Sequence, residues 1–179
     1  MSNKNESDSQ HKWLIKIFFI TFILSLIFNS LSTEFVENLN IIWSILILVL
    51  VILTGIVSDL IATAVTAADE TPFHAKAADK KKGAKQSVKL VRNADKVSNV
   101  CGDVVGDICG VLSGATSALI SVNISAALGM NDITIVTMLV TAIVTSLTVL
   151  GKGFGKHLGI TRADEIVTIL GKAISIFSK

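Results

Sequence analysis

Residues 97–128 read VSNVCGDVVGDICGVLSGATSALISVNISAAL, and this stretch decides the fold. Its glycines Gly102, Gly106, Gly110 and Gly114 recur every four residues. On a helix they form one stripe that carries no side chains. Such a stripe allows close approach of a second helix, as small residues do inside membranes. The pattern therefore predicts a membrane-spanning helix that packs through its glycine face.

Two acidic residues, Asp103 and Asp107, lie on the same predicted helix, and each directly follows a glycine. An acid at the centre of a bilayer costs roughly 2.5–3.5 kcal/mol on insertion scales. We therefore expect these carboxylates to face a polar interior, to pair with another group, or to bind a cation.

The composition indicates an integral membrane protein. Of 179 residues, 51% are hydrophobic and 17% are charged, and the mean hydropathy is +0.68, which is unusual for a soluble domain. One proline and no tyrosine also fit poorly with a loop-rich globular domain. We predict an all-α integral membrane protein with about four transmembrane helices, a cytoplasmic helical hairpin and a C-terminal interfacial helix.

Four apolar segments are long enough to cross a bilayer. A polar tail at 1–12 precedes them, and the spans are predicted at about 13–31, 41–67, 97–128 and 133–151. The first apolar run could also belong to a signal peptide, but it is long and no small-x-small cleavage site follows it, so we interpret it as a retained helix.

Threonines at steps of three and four share one face of the last span. This pattern favours either helix packing or the lining of a polar path. The five residues are Thr134, Thr137, Thr141, Thr145 and Thr148.

The connection at 69–96 is predicted to form a helical hairpin at the membrane surface. Thr71 and Pro72 are typical of a helix start, and Gly83 is typical of a helix end. Anionic lipid headgroups are the expected partner of its many basic residues, because spans lie on both sides, and we expect no nucleic-acid partner. The basic residues are Lys76, Lys80, Lys81, Lys82, Lys85, Lys89, Arg92 and Lys96.

The segment after the last span is predicted to be a flexible basic joint at 151–159. Thr161, with Asp164 three residues later, is similar to a capping box and predicts the start of a new helix. We expect that helix, at 161–178, to be amphipathic and to lie along the membrane interface.

The basic residues all sort to one side of the four-span arrangement. All sixteen Lys and Arg residues lie before or at the start of the first span, at 69–96, or after residue 150. The loops at 32–40 and 129–132 contain none. Because positive residues favour the inner side, we predict a multi-pass cell-membrane protein with both termini in the cytoplasm.

From about residue 53 to residue 177, the chain resembles the transmembrane domain of the CorB/CorC and cyclin M magnesium transporters. Ser58 and Asp59, followed by small residues, resemble the small-Ser-Glu segment that ends the first span of that family. Gly106 and Asp107 resemble the Gly-Asn of its second span.

Two further features carry the resemblance. Gly102 and Asp103 offer an alternative register for the Gly-Asn pair. Residues 151–156, GKGFGK, resemble the Gly-Glu-x-x-Pro-Lys that ends the third span of the family. The order of parts also matches, with a span, a cytoplasmic helical hairpin, two spans and a juxtamembrane helix. The span at 13–31 is an addition to this core.

The resemblance implies a homodimer in which polar groups from the three spans bind a dehydrated Mg²⁺ ion that faces the cytoplasm. Oxygen ligands of this kind suit a hard cation. Carried over onto this sequence, the metal site contains Ser58, Asp59, Asp103, Gly106 and Asp107.

Lys152 and Gly155 depart from the family motif, because they stand where the family has glutamate and proline. The Lys152 ammonium either snorkels to the headgroups, or reaches inward, pairs with Asp103 or Asp107 and replaces the ion. We favour snorkelling, because flanking glycines place Lys152 at the membrane edge. The CBS regulatory domains that usually follow in the family are not expected within these residues.

The leading functional hypothesis is transport or homeostasis of a divalent cation, Mg²⁺. The alternative is a non-transporting membrane scaffold or assembly partner on the same fold, with its ion site closed by Lys152. A third hypothesis, a small hole-forming protein, rests on size and the glycine stripe alone. We expect no enzymatic activity, because His11, His74 and His157 share no motif with a nucleophile or a metal ligand.

Overall fold

A computed structural model of the chain describes Trp13, residues 15–27, Ser30, residues 40–130 and residues 132–177. The secondary structure within these ranges is entirely helical. The predicted tail at 1–12, most of the loop at 32–40 and the end of the first span lie outside the described residues. The helices are α1 (Ile15–Ile27), α2 (Ile41–Ala67), α3 (Thr71–Ala78), α4 (Ala84–Arg92), α5 (Ala94–Ser98), a π-helical segment (Asn99–Val105), α6 (Gly106–Leu128), α7 (Ile133–Thr161) and α8 (Ala163–Phe177).

Three helices are long and apolar enough to cross a membrane. They are α2, the continuous helix Ala94–Leu128 that joins α5 to α6 through the π-helical segment, and α7. The described part of α1 is apolar but shorter. The prediction of an all-α, multi-pass membrane protein is therefore confirmed.

Helix α2 is the centre of the bundle, because it packs against α5, the π-helical segment, α6, α7 and α8. Its first half is apolar and mostly exposed on the protein surface, as Trp43 and Leu50 are, which suits contact with lipid. Its second half contains small buried residues such as Ser58, Ala62 and Ala64. Small side chains allow neighbouring helices to approach closely at this end.

The flexible joint predicted at 151–159 is wrong, because α7 continues as one helix to Thr161. Gly155 and Gly159 are buried against α2. A Cβ atom on Gly159 would lie 3.1 Å from both the Leu60 carbonyl oxygen and the Thr63 Cβ. The glycines therefore serve close helix packing here, and the contact with α2 outweighs their poor helix propensity.

The predicted glycine stripe divides between the inside and the outside of the bundle. A Cβ atom on Gly102 would lie 3.2 Å from the Ala62 Cβ, and Gly106 is buried. Gly110 and Gly114 are exposed, and a Cβ atom on either would meet no atom within 4 Å. The reason is geometric, because a spacing of four residues advances about 40° per step on a helix of 3.6 residues per turn.

Serines occupy the inner face of α6 instead. Each of three hydroxyls donates to a carbonyl oxygen of α6 itself, at 2.6–2.9 Å. The threonines of α7 do likewise at four positions, so these hydroxyls find their hydrogen-bond partners within their own helices. The four buried serines are Ser113, Ser117, Ser121 and Ser125.

Helix α8 packs against α4 and closes a small apolar core under the hairpin. That core contains Phe73, Val88 and Val167, which are buried together with the end of α2. The Ser87 hydroxyl donates to the Val167 carbonyl oxygen at 3.0 Å. A Cβ atom on Gly171 would lie 2.6 Å from the Gly83 carbonyl oxygen. The backbones of α4 and α8 are thus in direct contact.

Two helix-boundary predictions are wrong. Gly83 does not end α3, which stops at Ala78; it precedes α4 with a φ of 85°. Thr161 does not begin α8, because it is the last residue of α7 and its hydroxyl donates to the His157 carbonyl oxygen at 2.8 Å. Gly83 and Thr161 are residue types typical of helix ends, but tertiary contacts determine where α3 and α7 actually end.

Candidate cation site

A groove of about 480 Å³ lies between α2, the π-helical segment and α7. Three charged side chains line it, one from each of these elements: Asp59, Asp103 and Lys156. Thr63 and Thr66 add hydroxyl groups to its wall. The groove therefore combines two carboxylates with one ammonium group.

Asp59 is the most enclosed of these charged groups. Its side chain is 13% exposed, and its Oδ2 atom is buried without a hydrogen-bond partner among the described residues. The Lys156 Nζ atom lies 3.7 Å from that oxygen. This distance permits an ion pair but exceeds that of a hydrogen bond.

Asp103 and Asp107 do not share one environment. Both are exposed, but Asp103 lies in the π-helical segment and lines the groove. Asp107 lies in the first turn of α6 and is not among the residues that line it. The structure thus brings Asp103 together with Asp59 and leaves Asp107 apart.

Ser58 joins α2 to the π-helical segment. Its buried hydroxyl donates a hydrogen bond of 2.5 Å to the Cys101 carbonyl oxygen. A π-helical segment bonds residues five apart and is often found at functional sites. The Ser58 oxygen still has lone pairs when it donates, so this bond leaves it able to coordinate a cation.

Lys152 lies against the neighbouring helix and is half-buried. Its Nζ atom is 3.8 Å from the position that a Cβ atom on Gly106 would occupy. Within the described part of the chain, no ion pair joins Lys152 to Asp103 or Asp107. The side chain thus points toward α6, where its ammonium approaches a glycine instead of an acid.

The described residues hold no cluster of three or more His, Cys, Asp or Glu side chains that could bind a metal ion. A cation in the groove would therefore bind through one or two carboxylates, hydroxyl or backbone oxygens, and water. Mg²⁺ is commonly held in this way, because it loses its water reluctantly. The donor set of the groove fits such an ion.

A comparison with known families matches residues 45–179 to the cyclin M transmembrane N-terminal domain. The chain belongs to this family. The cyclin M domain covers nearly all of α2 and everything after it, so the apolar helix α1 precedes the matched region. Comparisons with curated proteins and with solved structures find no match.

The ion pair between Lys156 and Asp59 in this cyclin M domain was not predicted from the sequence. It appeared only as the last residue of the segment that resembles Gly-Glu-x-x-Pro-Lys. Lys152 and Lys156 are four residues apart on α7, which places them on one side of the helix. That spacing, together with the continuity of α7, is the signal that both ammonium groups face the other spans.

Outside the membrane-spanning helices, two carboxylates mark the entry to the hairpin of the cyclin M domain. Asp69 accepts hydrogen bonds from the Thr71 amide and hydroxyl at 3.0 and 2.9 Å, which lower the Asp69 pKa. The guanidinium of Arg92 and the ring of His74 lower the pKa of Glu70. These bonds fix the start of α3 against α4.

Proposed function

We propose that this cyclin M domain binds Mg²⁺ in the groove and takes part in transport or homeostasis of that ion. The observation that carries the proposal is the convergence of Asp59 and Asp103 on one groove from separate helical elements. Membership of the cyclin M family, which is associated with Mg²⁺ transport, gives independent support.

The chemistry of the groove suits a hydrated cation. Asp59 and Asp103 supply two carboxylates, and Thr63 and Thr66 add hydroxyl groups from α2. A buried carboxylate oxygen without a hydrogen bond is unfavourable in an apolar medium unless a cation compensates its charge. We assign Asp59 and Asp103 as the principal ligands, whereas Ser58 and Gly106 are not among the residues that line the groove.

Flux measurements test this function. The full chain is reconstituted in vesicles, and Mg²⁺ entry is followed with an enclosed indicator. We expect Mg²⁺-dependent flux in the wild type and its loss in Asp59→Asn, whereas Asp107→Asn retains more activity. Equal flux in wild type and Asp59→Asn would contradict the assignment, and leakage of an uncharged dye would indicate a non-selective hole.

A non-transporting scaffold on the same fold remains the second candidate. It is favoured by the two ammonium groups of Lys152 and Lys156, which lie close to the spans that would bind the ion. A protein of this kind assembles and folds normally but shows no Mg²⁺ flux in the same vesicles.

For assembly, we propose a homodimer that uses the outward part of the glycine stripe. Gly110 and Gly114 leave open surface on α6, where another helix could approach closely. Cross-linking from single cysteines placed beside Gly110, in a background without Cys101 and Cys109, tests this contact.

For topology, we propose that the hairpin and both termini face the cytoplasm, with the exposed side chains of Lys85 and Lys89 near anionic headgroups. Labelling of single cysteines at positions 37 and 82 from either side of the membrane tests the orientation. Labelling of position 82 only from outside would contradict it.

A further inference from the structure

We propose that the ammonium group of Lys156 is a built-in competitor of the divalent cation at Asp59. In this mechanism, which rests on the proposed function, Lys156 neutralises Asp59 while no ion is bound. A divalent cation binds only when the Lys156 side chain moves out of the groove. Lys156 thereby sets the affinity of the site.

The two partners differ in exposure to solvent, as such an exchange requires. Asp59 is enclosed, with 13% of its side chain exposed, whereas the Lys156 side chain is 57% exposed. The acid is therefore held in place, and the long lysine side chain can rotate toward solvent. Their separation of 3.7 Å indicates an ion pair without a direct hydrogen bond, so displacement breaks little besides the charge interaction.

The backbone near the pair is fixed by the close packing of α7 on α2. Gly155 precedes Lys156 directly and lies against Ile56 and Leu60. Gly159, one turn later, meets the backbone of α2. Exchange between lysine and cation thus takes place through rotation of one side chain, with no shift of the helices.

Lys152 does not compete in the same way. Its ammonium lies beside Gly106 and forms no ion pair within the described residues. Lys152 and Lys156 are similar in chemistry and lie one turn apart on α7. Lys152→Gln is therefore the matched control for Lys156→Gln.

Removal of the Lys156 charge has two opposite effects. Without Mg²⁺, Asp59 keeps an uncompensated buried charge, so the protein is less stable. With Mg²⁺, the ion no longer competes with an ammonium group, so it binds more tightly. Because ion pairs with an exposed partner are weak, we expect the Mg²⁺ concentration for half-maximal stabilisation to fall by about fivefold.

The experiment follows thermal unfolding of the purified full chain in detergent, first in EDTA and then across a Mg²⁺ titration. Lys156→Gln is expected to melt below wild type in EDTA and to respond to less Mg²⁺. Lys152→Gln is expected to respond as wild type does. The double variant Asp59→Asn/Lys156→Gln should lose the EDTA defect and most of the Mg²⁺ response.

The outcomes separate the two proposals. Equal Mg²⁺ midpoints for wild type and Lys156→Gln would overturn the competition and leave the cation site intact. If no variant responds to Mg²⁺, the proposed function itself fails, and the competition fails with it.

A second measurement uses the wild type alone, so it does not depend on whether a variant folds. Mass spectrometry follows the acylation of lysines by an amine-reactive reagent with and without Mg²⁺. We expect Mg²⁺ to increase the labelling of Lys156 relative to Lys172, which is exposed and does not line the groove. Unchanged relative labelling at saturating Mg²⁺ would contradict the displacement of Lys156.

Discussion

Replacement of Gly171 by alanine is expected to weaken the docking of α8 on the hairpin. A Cβ atom at this position would overlap the Ser87 hydroxyl and lie 2.6 Å from the Gly83 carbonyl oxygen and 3.0 Å from the Ser87 amide nitrogen. The Ser87 amide also donates to the Gly83 carbonyl at 2.9 Å. Since two of the three atoms belong to the backbone, a change of rotamer cannot relieve the overlap.

The expected loss of stability follows from three terms. Overpacking typically costs about 1–3 kcal/mol, and loss of the bond from Ser87 to the Val167 carbonyl costs about 0.5–1.5 kcal/mol. Alanine stabilises the helix by about 1 kcal/mol relative to glycine, because its helix propensity is higher. The net destabilisation is therefore about 0.5–3.5 kcal/mol.

Thermal unfolding in detergent measures this change, and limited trypsin digestion locates it. Faster cleavage is expected at the exposed Lys80, Lys81 and Lys82, because α8 no longer holds the hairpin. Gly153→Ala is the control, since a Cβ atom there meets no atom within 4 Å and should leave stability equal or slightly raised. A Gly171→Ala variant that melts at or above wild type would refute the reasoning.

Three further predictions concern other parts of the chain. Gly159→Leu is expected to lower the melting temperature strongly, because Gly159 touches the α2 backbone. Gly110→Leu lies on an open surface and should weaken only self-association. Equal melting temperatures for the two variants would contradict this prediction. Ser58→Ala should lower the melting temperature by removing the hydrogen bond to the Cys101 carbonyl, at a cost of about 1–3 kcal/mol; an unchanged value would show that this bond contributes nothing. The pKa of Glu70 is held below its ordinary value of 4.5, so its contribution to stability is present above pH 4.5 and is lost as the pH falls through the lower folded-state pKa. Glu70→Gln should therefore melt below wild type at neutral pH, and the difference should disappear in acid.

The fold class and the family could be predicted from the sequence because both depend on local patterns. The length of each apolar segment and the absence of interior prolines are sufficient to indicate the long helices. The helix ends near 83 and 161 could not be predicted in the same way. Gly83 and Thr161 resemble a helix end and a cap, but their places depend on contacts with α8 and on the continuation of α7.

The role of the glycines near the end of α7 could not be predicted from the sequence either. Gly155 and Gly159 suggest flexibility when only the sequence is known, yet in the bundle they allow α2 to approach α7. Their effect depends on a helix that lies about a hundred residues earlier in the chain.

The candidate site could be predicted in part. An acid inside a span is a sound signal by itself, and it pointed to Asp103 and Asp107, of which only Asp103 lines the groove. Asp59 was indicated by the family resemblance alone. The sequence did not indicate which lysine lies nearest to Asp59, because the answer depends on the rotation of α7 about its axis.

The length of α7 has a mechanical consequence. Its 29 residues span about 43 Å at 1.5 Å per residue, whereas the hydrocarbon core of a bilayer is about 30 Å thick. The helix must therefore tilt or project beyond the core, and its far end leads directly into α8. A thinner or thicker bilayer changes the tilt of such a helix, so the level at which α7 passes into α8 depends on the thickness of the membrane.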